Sequence, residues 1–469
     1  MLKRTLPALA ALLLAACTVG PNYKRPIVPV PAGFRAPEPL APSQAESFAD
    51  LKWFDVFKDE KLQELIRTAL TQNYDLRDAV TRVEASRAAL GITRSDQYPQ
   101  FAAGGEVDIN RLSRGGATPL PAAFLPNQNR NFGSAALQLL SFEIDIWGKL
   151  RRATEAARAN LLSAEETRQA VVSTLVSDVA TAYLSMRELD YELEISKRTL
   201  QTREESLSLT QQRQTGGVAT RLDLRQAEQL VYTAAETIPG IQQQIEQREN
   251  QISLLLGENP GGVARGRSLI EQDLPPQVPP GLPSALLERR PDIRAAEQDL
   301  IAANAEIGVA RAAYFPQVSL SGLLGGTSTQ LTSLFSGPNS TWSLIPQVTQ
   351  PIFTAGRIKS GVRLAEATRE HALVQYQKTI QTAFTEVSDA LIAHQRVRES
   401  REKQEALEVA LEDRLRLAYM RYRGGVDTQL NALDADRDLF QAQFTLAELR
   451  LQELLSVVQL YKALGGGWQ

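Results

Sequence analysis

The sequence has very few residues of the kinds that bind metals or form covalent cross-links. It contains one cysteine, Cys17, and two histidines, His371 and His394. A single cysteine excludes an intrachain disulfide, and so few ligands exclude a recognisable zinc or copper site. Nucleophile motifs and phosphate-binding loops are also missing, so we expect neither an enzyme nor a bound cofactor. The 51 basic and 54 acidic residues nearly balance, which leaves no basic field for nucleic acid.

Long hydrophobic runs are missing as well. After the N-terminal residues, no apolar stretch approaches the roughly 18 residues of a membrane-spanning helix, which excludes a helical membrane protein. Any membrane-spanning part is therefore expected to be built from strands. Lys3 and Arg4 precede an apolar run from Leu6 to Leu14 that is too short to cross a bilayer. We interpret residues 1–16 as a signal peptide.

The apolar run ends in Leu14-Ala15-Ala16-Cys17, which resembles the lipobox of bacterial lipoproteins. That resemblance implies cleavage before Cys17 and covalent attachment of diacylglycerol and an N-acyl chain to it. Thr18, and not aspartate, follows the cysteine, which implies delivery to the outer membrane. A stray cysteine in an ordinary signal sequence is the alternative.

The chain contains two copies of one unit. One group of motifs recurs at a constant offset of 217 positions, as from Asp75 to Asp292, and a second group recurs at 208, as from Gly148 to Gly356. The first group pairs Asp75-Leu76-Arg77, Gly91 and Tyr98-Pro99-Gln100 with Asp292-Ile293-Arg294, Gly308 and Phe315-Pro316-Gln317. The second pairs Gly148, Gly216-Gly217-Val218 and Leu256-Gly257 with Gly356, Gly424-Gly425-Val426 and Leu464-Gly465. Internal duplication therefore organises the whole chain.

Each copy contains a long helical pattern. Apolar residues recur at alternating spacings of three and four over about 149–213 and about 357–422, which is the seam of a coiled coil. Each such helix would be roughly 100 Å long at 1.5 Å per residue. The seam resumes after Gly216-Gly217 and after Gly424-Gly425, so we predict two helical hairpins with glycine tips. Pro239 should kink or break the return helix of the first hairpin.

Between the helices the hydrophobic period falls to two, which predicts strands. Apolar residues at odd positions of 101–109 and at even positions of 140–146 predict one strand pair of membrane-spanning length, joined by a loop over 113–131. A second pair is predicted around Val318–Leu324 and Trp342–Val348, with Pro346 weakening the last strand. A soluble two-stranded hairpin is the alternative for each pair.

These features resemble the outer membrane factors, the TolC-like ducts of tripartite efflux systems, and most closely their acylated OprM-like branch. The resemblance covers essentially the whole mature chain. Its most specific motifs are Cys17-Thr-Val-Gly-Pro-Asn-Tyr, Asp145-Ile-Trp-Gly-Lys, Leu287-Glu-Arg-Arg-Pro-Asp-Ile-Arg, Phe315-Pro, Pro351-Ile-Phe-Thr-Ala-Gly, Arg421-Tyr-Arg-Gly-Gly-Val and Tyr461-Lys-Ala-Leu-Gly-Gly-Gly-Trp.

The resemblance implies an α+β fold, in which a membrane β-barrel is continuous with a long α-helical barrel of coiled-coil hairpins. Each protomer would give four strands to a barrel that closes only in the homotrimer, and open strand edges are in any case not tolerated in lipid. Acidic residues would face the wet lumen, and these are Glu106, Asp108, Glu143 and Asp145.

The implied function is that of an outer-membrane channel subunit of a tripartite efflux pump, which exports drugs or other small toxic compounds. It would be a passive duct, opened by a periplasmic membrane-fusion adaptor and an inner-membrane proton-driven efflux transporter. The hairpin tips would dock onto the adaptor, through Gly216, Gly217 and Val218 in the first copy and Gly424, Gly425 and Val426 in the second.

The resemblance also implies a periplasmic gate near the tips, closed by bonds between neighbouring coils. Its aspartate corresponds to Asp223, its tyrosine to Tyr422 and one of two ring aspartates to Asp434. The sequence departs from the family pattern at two positions. Asp427 stands where the family has an arginine, and Asn431 stands where it has the second ring aspartate.

An arginine bridge at this gate would therefore have to come from Arg421, Arg423 or Arg213. An ordinary solvated charge at a helix end is the alternative for each gate residue.

Two other functions fit parts of the sequence. A periplasmic adaptor or scaffold lipoprotein would share the signal, the anchor and the hairpins, but it needs no duplicated strand pairs. An enzyme would place chemistry on the many carboxylates, which here lie along helix faces where solvated charge is the default.

We divide the chain as follows. The segments are the signal peptide (1–16), the lipid anchor and extended segment (17–58), first-repeat helices (59–98), strand pair 1 (99–147), helical hairpin 1 (148–257), an inter-repeat linker (258–290), the second-repeat helix (291–315), strand pair 2 (316–355) and helical hairpin 2 (356–465).

Overall fold

The computed structural model describes residues 18–36, 47–111, 129–272, 279 and 281–468. The predicted signal peptide, Cys17 and most of the loop predicted over 113–131 lie outside these residues. The described elements, in chain order, are α1 (Trp53–Val56), α2 (Glu60–Gln72), α3 (Tyr74–Ser95), β1 (Phe101–Arg111), β2 (Asn129–Glu143), α4 (Lys149–Thr215), α5 (Arg221–Leu256), α6 (Pro283–Arg289), α7 (Pro291–Ala312), β3 (Gln317–Ser328), β4 (Ser340–Thr349), α8 (Arg357–Arg423) and α9 (Gln429–Ala463). None of the described helices combines the length and hydrophobicity needed to cross a bilayer.

The chain forms two compact units, and each unit takes residues from both repeats. Of the described residues, the first unit comprises 18–26, 84–111, 129–163 and 296–375, and the second comprises 27–36, 47–83, 164–272, 279, 281–295 and 376–468. Neither unit corresponds to a single repeat. The two copies are therefore interleaved in the fold and do not form separate domains.

The first unit contains a four-stranded antiparallel sheet in the order β1-β2-β3-β4. The strand predicted around 140–146 is wrong in its bounds, because β2 starts at Asn129 and ends at Glu143. The register shifts between Leu139 and Phe142, where β2 has a bulge. Odd-numbered residues of β2 lie on one face before the bulge, and even-numbered residues lie on that face after it. Pro346 lies inside β4, which pairs on one side only within the chain, where a residue without a backbone donor is tolerated.

The sheet has one apolar and one polar face, as its pairing register shows. The apolar face carries large side chains that are all exposed, namely Phe101, Val107, Ile109, Leu137, Leu324, Trp342, Leu344 and Val348. The other face is mainly polar and carries Glu106, Asp108, Ser134, Gln138, Glu143, Ser319, Ser321, Ser343 and Gln347, with Phe132, Leu323 and Ile345 as its large apolar side chains. Burial therefore does not account for the apolar face within one chain.

Also in the first unit, α7 packs on α4 through small side chains. Ala302 and Ala305 of α7 form a buried cluster with Ala156 and Ala159 of α4, with Ile301 packed against it. Alanine allows the two helices to approach closely, which explains the small residues on both sides of this contact.

In the second unit, α4 and α5 form hairpin 1, and α8 and α9 form hairpin 2. Leu189 of α4 packs on Ile241 and Ile245 of α5, with Leu193 and Phe444 of α9 against them. Of the kink or break predicted at Pro239, the break is wrong, because α5 is one continuous helix from Arg221 to Leu256, and the kink stays a prediction. Pro239 lies on the exposed side of α5, where the backbone carbonyl that its ring leaves without a donor can bond to water.

Candidate functional site

The tip of hairpin 1 is a tight glycine turn. Gly217 has a φ of +76°, which an L side chain rarely adopts, and its amide donates to the Gln214 carbonyl at 3.0 Å. Val218 donates to the Arg213 carbonyl at 2.9 Å, which closes the end of α4. The Val218 side chain is 75% exposed at the apex.

The tip of hairpin 2 repeats this turn. Gly425 has a φ of +71° and donates to the Tyr422 carbonyl at 3.1 Å, while Val426 donates to the Arg421 carbonyl at 3.0 Å. Val426 is 69% exposed. The two tips thus present the same backbone shape and the same exposed valine.

Asp223 caps its own helix. Its carboxylate Oδ2 accepts bonds from the Thr220 amide at 2.7 Å and from the Thr220 hydroxyl at 2.8 Å. In return, the Asp223 amide donates to Thr220 Oγ1 at 3.2 Å, which completes a capping box at the start of α5. The gate aspartate expected from the family pattern is therefore held at a fixed position by the tip.

Tyr422 lies at the end of α8 against the other hairpin. The Arg213 guanidinium of α4 sits 4.7 Å from the centre of the Tyr422 ring, which is cation–π geometry. Within the described residues, the Tyr422 hydroxyl has no hydrogen-bond partner, and no bond joins it to Asp223. The structure thus brings Arg213 and Tyr422 together, while the expected tyrosine–aspartate bond is not present in the single chain.

Asp427 takes part in a network inside the second tip. It accepts from Arg421 Nε at 3.1 Å, from the Thr428 amide at 2.8 Å and from Asn431 Nδ2 at 2.7 Å. The bond from Arg421, followed by those from Thr428 and Asn431, lowers the pKa of the Asp427 carboxyl. The departure from the family pattern at 427 and 431 is thus a matched pair of changes, because both residues serve one local network.

The two other residues predicted at the gate lie apart from this network. Asp434 pairs with Arg437 of its own helix at 3.2 Å. Arg423, the last residue of α8, is exposed and makes no ion pair within the described residues.

A buried ion pair joins the two hairpins, and the sequence analysis missed it. Arg203 Nε of α4 donates to Asp436 Oδ2 of α9 at 2.6 Å, and their side chains are 4% and 7% exposed. Arg203 also donates to the Leu230 carbonyl of α5 at 3.0 Å and lies 4.9 Å from the centre of the Phe440 ring. Burial raises the pKa of Asp436, and Arg203 opposes that shift. One available signal was the spacing, since Arg203 follows seam residue Leu200 by three positions and precedes Leu207 by four.

Two polar contacts continue this interface towards the tips. Gln429 Nε2 donates to Thr210 Oγ1 at 2.8 Å in a buried bond. The Tyr419 hydroxyl lies 3.4 Å from Ser206 Oγ. The interface between the hairpins is therefore polar over its last turns, in contrast to the apolar core around Leu189.

Acidic side chains meet deeper in the same unit. Glu188 and Glu192 of α4 hydrogen-bond each other, with Glu448 of α9 and Arg248 of α5 nearby. Burial first, and then the carboxyls of Glu192 and Glu448, raise the pKa of Glu188 to about 8, while Arg248 opposes the shift. No group of side chains with metal-binding geometry occurs among the described residues.

The expected lumen residues divide into two groups. Glu106, Asp108 and Glu143 lie together on the polar face of the sheet. Asp145 does not, since it follows β2 and accepts from the amides of Leu150 and Arg151, which caps α4. The expectation that Asp145 belongs to the strand face is therefore wrong.

The family model for outer membrane efflux proteins matches residues 65–258 and 282–466 of this chain. The chain belongs to the outer membrane efflux protein family. It is 39% identical over 468 residues to the probable efflux pump outer membrane protein TtgC of Pseudomonas putida, covering 98% of this chain and 95% of TtgC. It is 34% identical over 467 residues to the cation efflux system protein CusC of Escherichia coli, covering 99% of each.

A solved structure agrees with this outer membrane efflux protein along nearly its whole length. The open state of the MtrE outer membrane channel of Neisseria gonorrhoeae superposes with a TM-score of 0.87 at 32% identity, covering 97% of this chain and 99% of MtrE. The expected fold, long helical hairpins with a four-stranded sheet that is not closed in one chain, is confirmed. Family membership decides between the functions left open by the sequence, since the protein is an outer-membrane efflux channel and not a periplasmic adaptor.

Proposed function

We propose that this outer membrane efflux protein is a lipid-anchored, homotrimeric, passive duct that carries small toxic compounds from the periplasm to the exterior. A periplasmic membrane-fusion adaptor and an inner-membrane proton-driven transporter would be its partners. The observation that carries this proposal is the two-faced sheet, with eight exposed apolar side chains on one face and acidic and hydroxyl side chains on the other. Such a sheet suits a barrel with lipid outside and water inside.

Oligomerisation is supported first by the sheet edges. Among the described residues, β1 and β4 each pair with one neighbour, so each leaves a row of backbone donors and acceptors. Unpaired edges are too costly in lipid, and pairing β1 of one copy with β4 of the next removes them. Three copies would give the twelve strands that the family resemblance implies.

The internal repeat supplies a second argument for the oligomer. Ala302 and Ala305 of α7 are buried against α4, but their equivalents 217 positions earlier, Ala85 and Ala88 of α3, are exposed. The equivalents of the α4 partners, 208 positions later, are Leu364 and Ala367 of α8, and both are exposed.

One copy of a duplicated contact is thus made within the chain, while both halves of the other copy are left open. Docking α3 of one chain onto α8 of the next satisfies both halves. This contact is head-to-tail, and it generates a ring when the rotation closes.

The substitution pair Ala88→Cys with Ala367→Cys tests this arrangement. Their in-chain equivalents, Ala305 and Ala159, belong to one buried cluster. Oxidation should therefore link neighbouring protomers into dimers and trimers on a non-reducing gel, while each single variant, as control, should give no such ladder. If the oxidised double variant ran only as monomer on this gel, the proposed contact would be excluded.

The gate and the adaptor interface would lie at the tips. The Tyr422 hydroxyl lacks a partner within the described residues, and Asp223 is fixed at the start of α5 by its capping box, so a closing bond between neighbouring coils is chemically available. Val218 and Val426 give each tip an exposed apolar apex for an adaptor hairpin. The proposed gate would also include Asp434, Arg421 and Arg423.

The anchor rests on the sequence. Acylation of Cys17 at both the thiol and the new N-terminus would give the two lipid signals that stable membrane attachment requires. Intact-mass measurement of the mature protein should find both modifications. A free amine with an unmodified thiol would refute the anchor.

Complementation tests the whole proposal. A strain lacking this gene should regain resistance to at least one class among drugs, solvents and metals when the wild-type gene is restored. Gly425→Val should fail to restore it, because valine is strained at a φ of +71° and disturbs the tip. Gly361→Val is the matched control, since it lies within α8 and a Cβ there meets nothing within 4 Å. Full resistance with Gly425→Val, in assembled trimers, would argue against docking through the tips.

A further inference from the structure

The second strand pair lies in a part of the chain without charge. Between Arg311 and Arg357 there is no aspartate, glutamate, lysine, arginine or histidine. The first strand pair, by contrast, carries Glu106, Asp108 and Glu143 on its polar face. The connection between β3 and β4 therefore carries no charged side chain whose hydration would oppose contact with lipid.

This connection, residues 329–339, which we name the β3–β4 loop, has a defined shape. It contains two short 3-10 turns, Leu331–Ser333 and Gly337–Asn339. Ser328 Oγ lies 2.8 Å from Ser333 Oγ, and Asn339 Nδ2 donates to the Ser333 carbonyl at 2.8 Å. Polar side chains thus bond to one another within the loop, while Leu331 and Phe335 stay exposed.

Two glycines reveal which face of the sheet the loop covers. Gly133 and Gly326 lie on the apolar face, on the same side as Leu137 and Leu324. A Cβ on Gly133 would come within 2.7 Å of Leu331 Cδ2, and a Cβ on Gly326 would overlap the Leu334 carbonyl oxygen. The β3–β4 loop is therefore folded down onto the apolar face and not over the polar face.

The packed loop extends the exposed apolar surface. Within the loop, Leu334 is buried, whereas Leu331 is 66% exposed and Phe335 is 83% exposed. Trp342 is 76% exposed and pairs with Leu324 on the same face. Tryptophan and other aromatic side chains on a lipid-facing surface are typical of the membrane–water interface.

We propose that the β3–β4 loop is a membrane contact, in which Leu331 and Phe335 touch acyl chains of the outer leaflet beside Trp342 of β4. The inference rests on the proposed barrel, whose lipid face is the apolar face of the sheet. It adds that a loop between strands is itself part of the lipid-contacting surface. Continuity with that face and the absence of charge favour acyl chains over a protein or sugar ligand.

Site-directed spin labelling tests the proposal. Phe335→Cys, Trp342→Cys and Ser343→Cys are labelled in the full chain reconstituted into phosphatidylcholine vesicles, and the unsubstituted chain serves as the labelling blank. Accessibility to oxygen, which concentrates in lipid, is compared with accessibility to a water-soluble nickel chelate. Positions 335 and 342 should favour oxygen, and position 343, on the polar face beside Trp342, should favour nickel.

The outcomes separate the two proposals. Nickel preference at 335 with oxygen preference at 342 would overturn the loop contact and leave the barrel intact. Nickel preference at both 335 and 342 would overturn the membrane placement of the sheet, and the loop contact with it.

A second pair of variants tests the packing that places the loop. Gly326→Ala puts a methyl group into the Leu334 carbonyl, so the loop must lift and the label at 335 should lose its oxygen preference. Gly337→Ala, where a Cβ meets nothing within 4 Å, should leave that preference unchanged. Unchanged accessibility in Gly326→Ala would overturn the role of this packing in holding the loop on the lipid face.

Discussion

Hairpins 1 and 2 follow the same backbone plan but are held together by different chemistry. In hairpin 1, Leu193 and Ile245 contribute to an apolar cluster between α4 and α5. At the same two positions of hairpin 2, 208 residues later, Arg401 donates to Glu453, whose side chain is only 3% exposed. The duplicated fold therefore accepts either an apolar contact or a buried ion pair at one place, provided that both partners change together.

The tips differ in a similar way. Arg213 and Arg421 occupy equivalent positions, but Arg213 stacks on Tyr422 of the other hairpin, whereas Arg421 pairs with Asp427 of its own tip. The first tip thus contributes a contact across the hairpins, and the second contributes a closed local network. Equivalent sequence positions have acquired different partners because each hairpin has a different neighbour.

The largest effect should follow from loss of the buried pair between the hairpins. Arg203→Ala leaves Asp436 buried without its partner, which should lower the free energy of unfolding by about 3 to 5 kcal/mol per protomer. Thermal unfolding in detergent measures this loss. Arg225→Ala, which removes an exposed partner of Glu228, is the control and should cost about 1 kcal/mol or less. Equal costs for the two variants would mean that burial adds nothing to the interface.

Exchange of the hairpin chemistry sharpens the comparison directly. Glu453→Ala alone should destabilise hairpin 2 by about 1.5 to 3 kcal/mol, because Arg401 loses its buried partner but keeps its ion pair with Glu405. The double change Arg401→Leu with Glu453→Ile copies hairpin 1 and should be neutral or stabilising by about 1 to 4 kcal/mol. Chemical denaturation of both variants distinguishes the outcomes. If the double variant were as unstable to denaturant as Glu453→Ala, the backbone around position 401 could not accept the apolar pair.

Glu188 of hairpin 1 should make the stability of the protein depend on pH. The pKa of Glu188 is raised from 4.5 to about 8 by burial and neighbouring carboxyls, so the folded chain keeps a proton that the unfolded chain has lost. Its contribution to stability is complete below pH 4.5 and is lost as the pH rises towards about 8, at up to about 1.4 kcal/mol per pH unit. Unfolding curves between pH 5 and 9, roughly spanning that window, measure the slope.

Glu188→Gln should flatten this slope, because the amide does not titrate. Glu204→Gln, an exposed position on the same helix, should leave it unchanged. An identical slope in all three proteins would assign the pH dependence to other groups.

The smallest effect concerns the helix caps at the tips. Thr220 caps α5 through its side chain, so Thr220→Ala should cost about 1 kcal/mol locally. Thr428 makes no side-chain cap bond at the start of α9, and Thr428→Ala should be nearly neutral. Amide hydrogen exchange should therefore accelerate about fivefold in the first turn of α5 and hardly at all in α9. Equal acceleration at both tips would contradict the difference in capping.

The fold could be predicted from local pattern where one cause dominates. The glycine tips could be located because a positive φ selects glycine, and the strand faces followed from alternation in β1, β3 and β4. The bounds of β2 could not, since the bulge after Leu139 changes the face and alternation alone carries no sign of it. Pro239 misled because its cost depends on which side of the helix it occupies, and that side is set by packing.

The site was less predictable, because it depends on residues far apart in the chain. Arg203 and Asp436 are 233 positions apart, and no local pattern fixes the register between α4 and α9. The capping role of Asp223 was readable in the sequence, since Thr220 precedes it by three positions, the spacing of a capping box. Attention to the family gate alone left that local role unnoticed.

The bonds of Arg203 also set the mechanical behaviour of the hairpins. The Arg203 guanidinium on α4 donates to a carbonyl of α5 and to a carboxylate of α9. These three helices are therefore bonded to one another at that level. Among the four hairpin helices, α8 is the one that this side chain does not bind directly. Movement of the tips that preserves the buried charge pair must therefore carry α9 along with hairpin 1, while α8 is joined to α4 and α9 through other contacts, Tyr422 with Arg213 and Arg401 with Glu453.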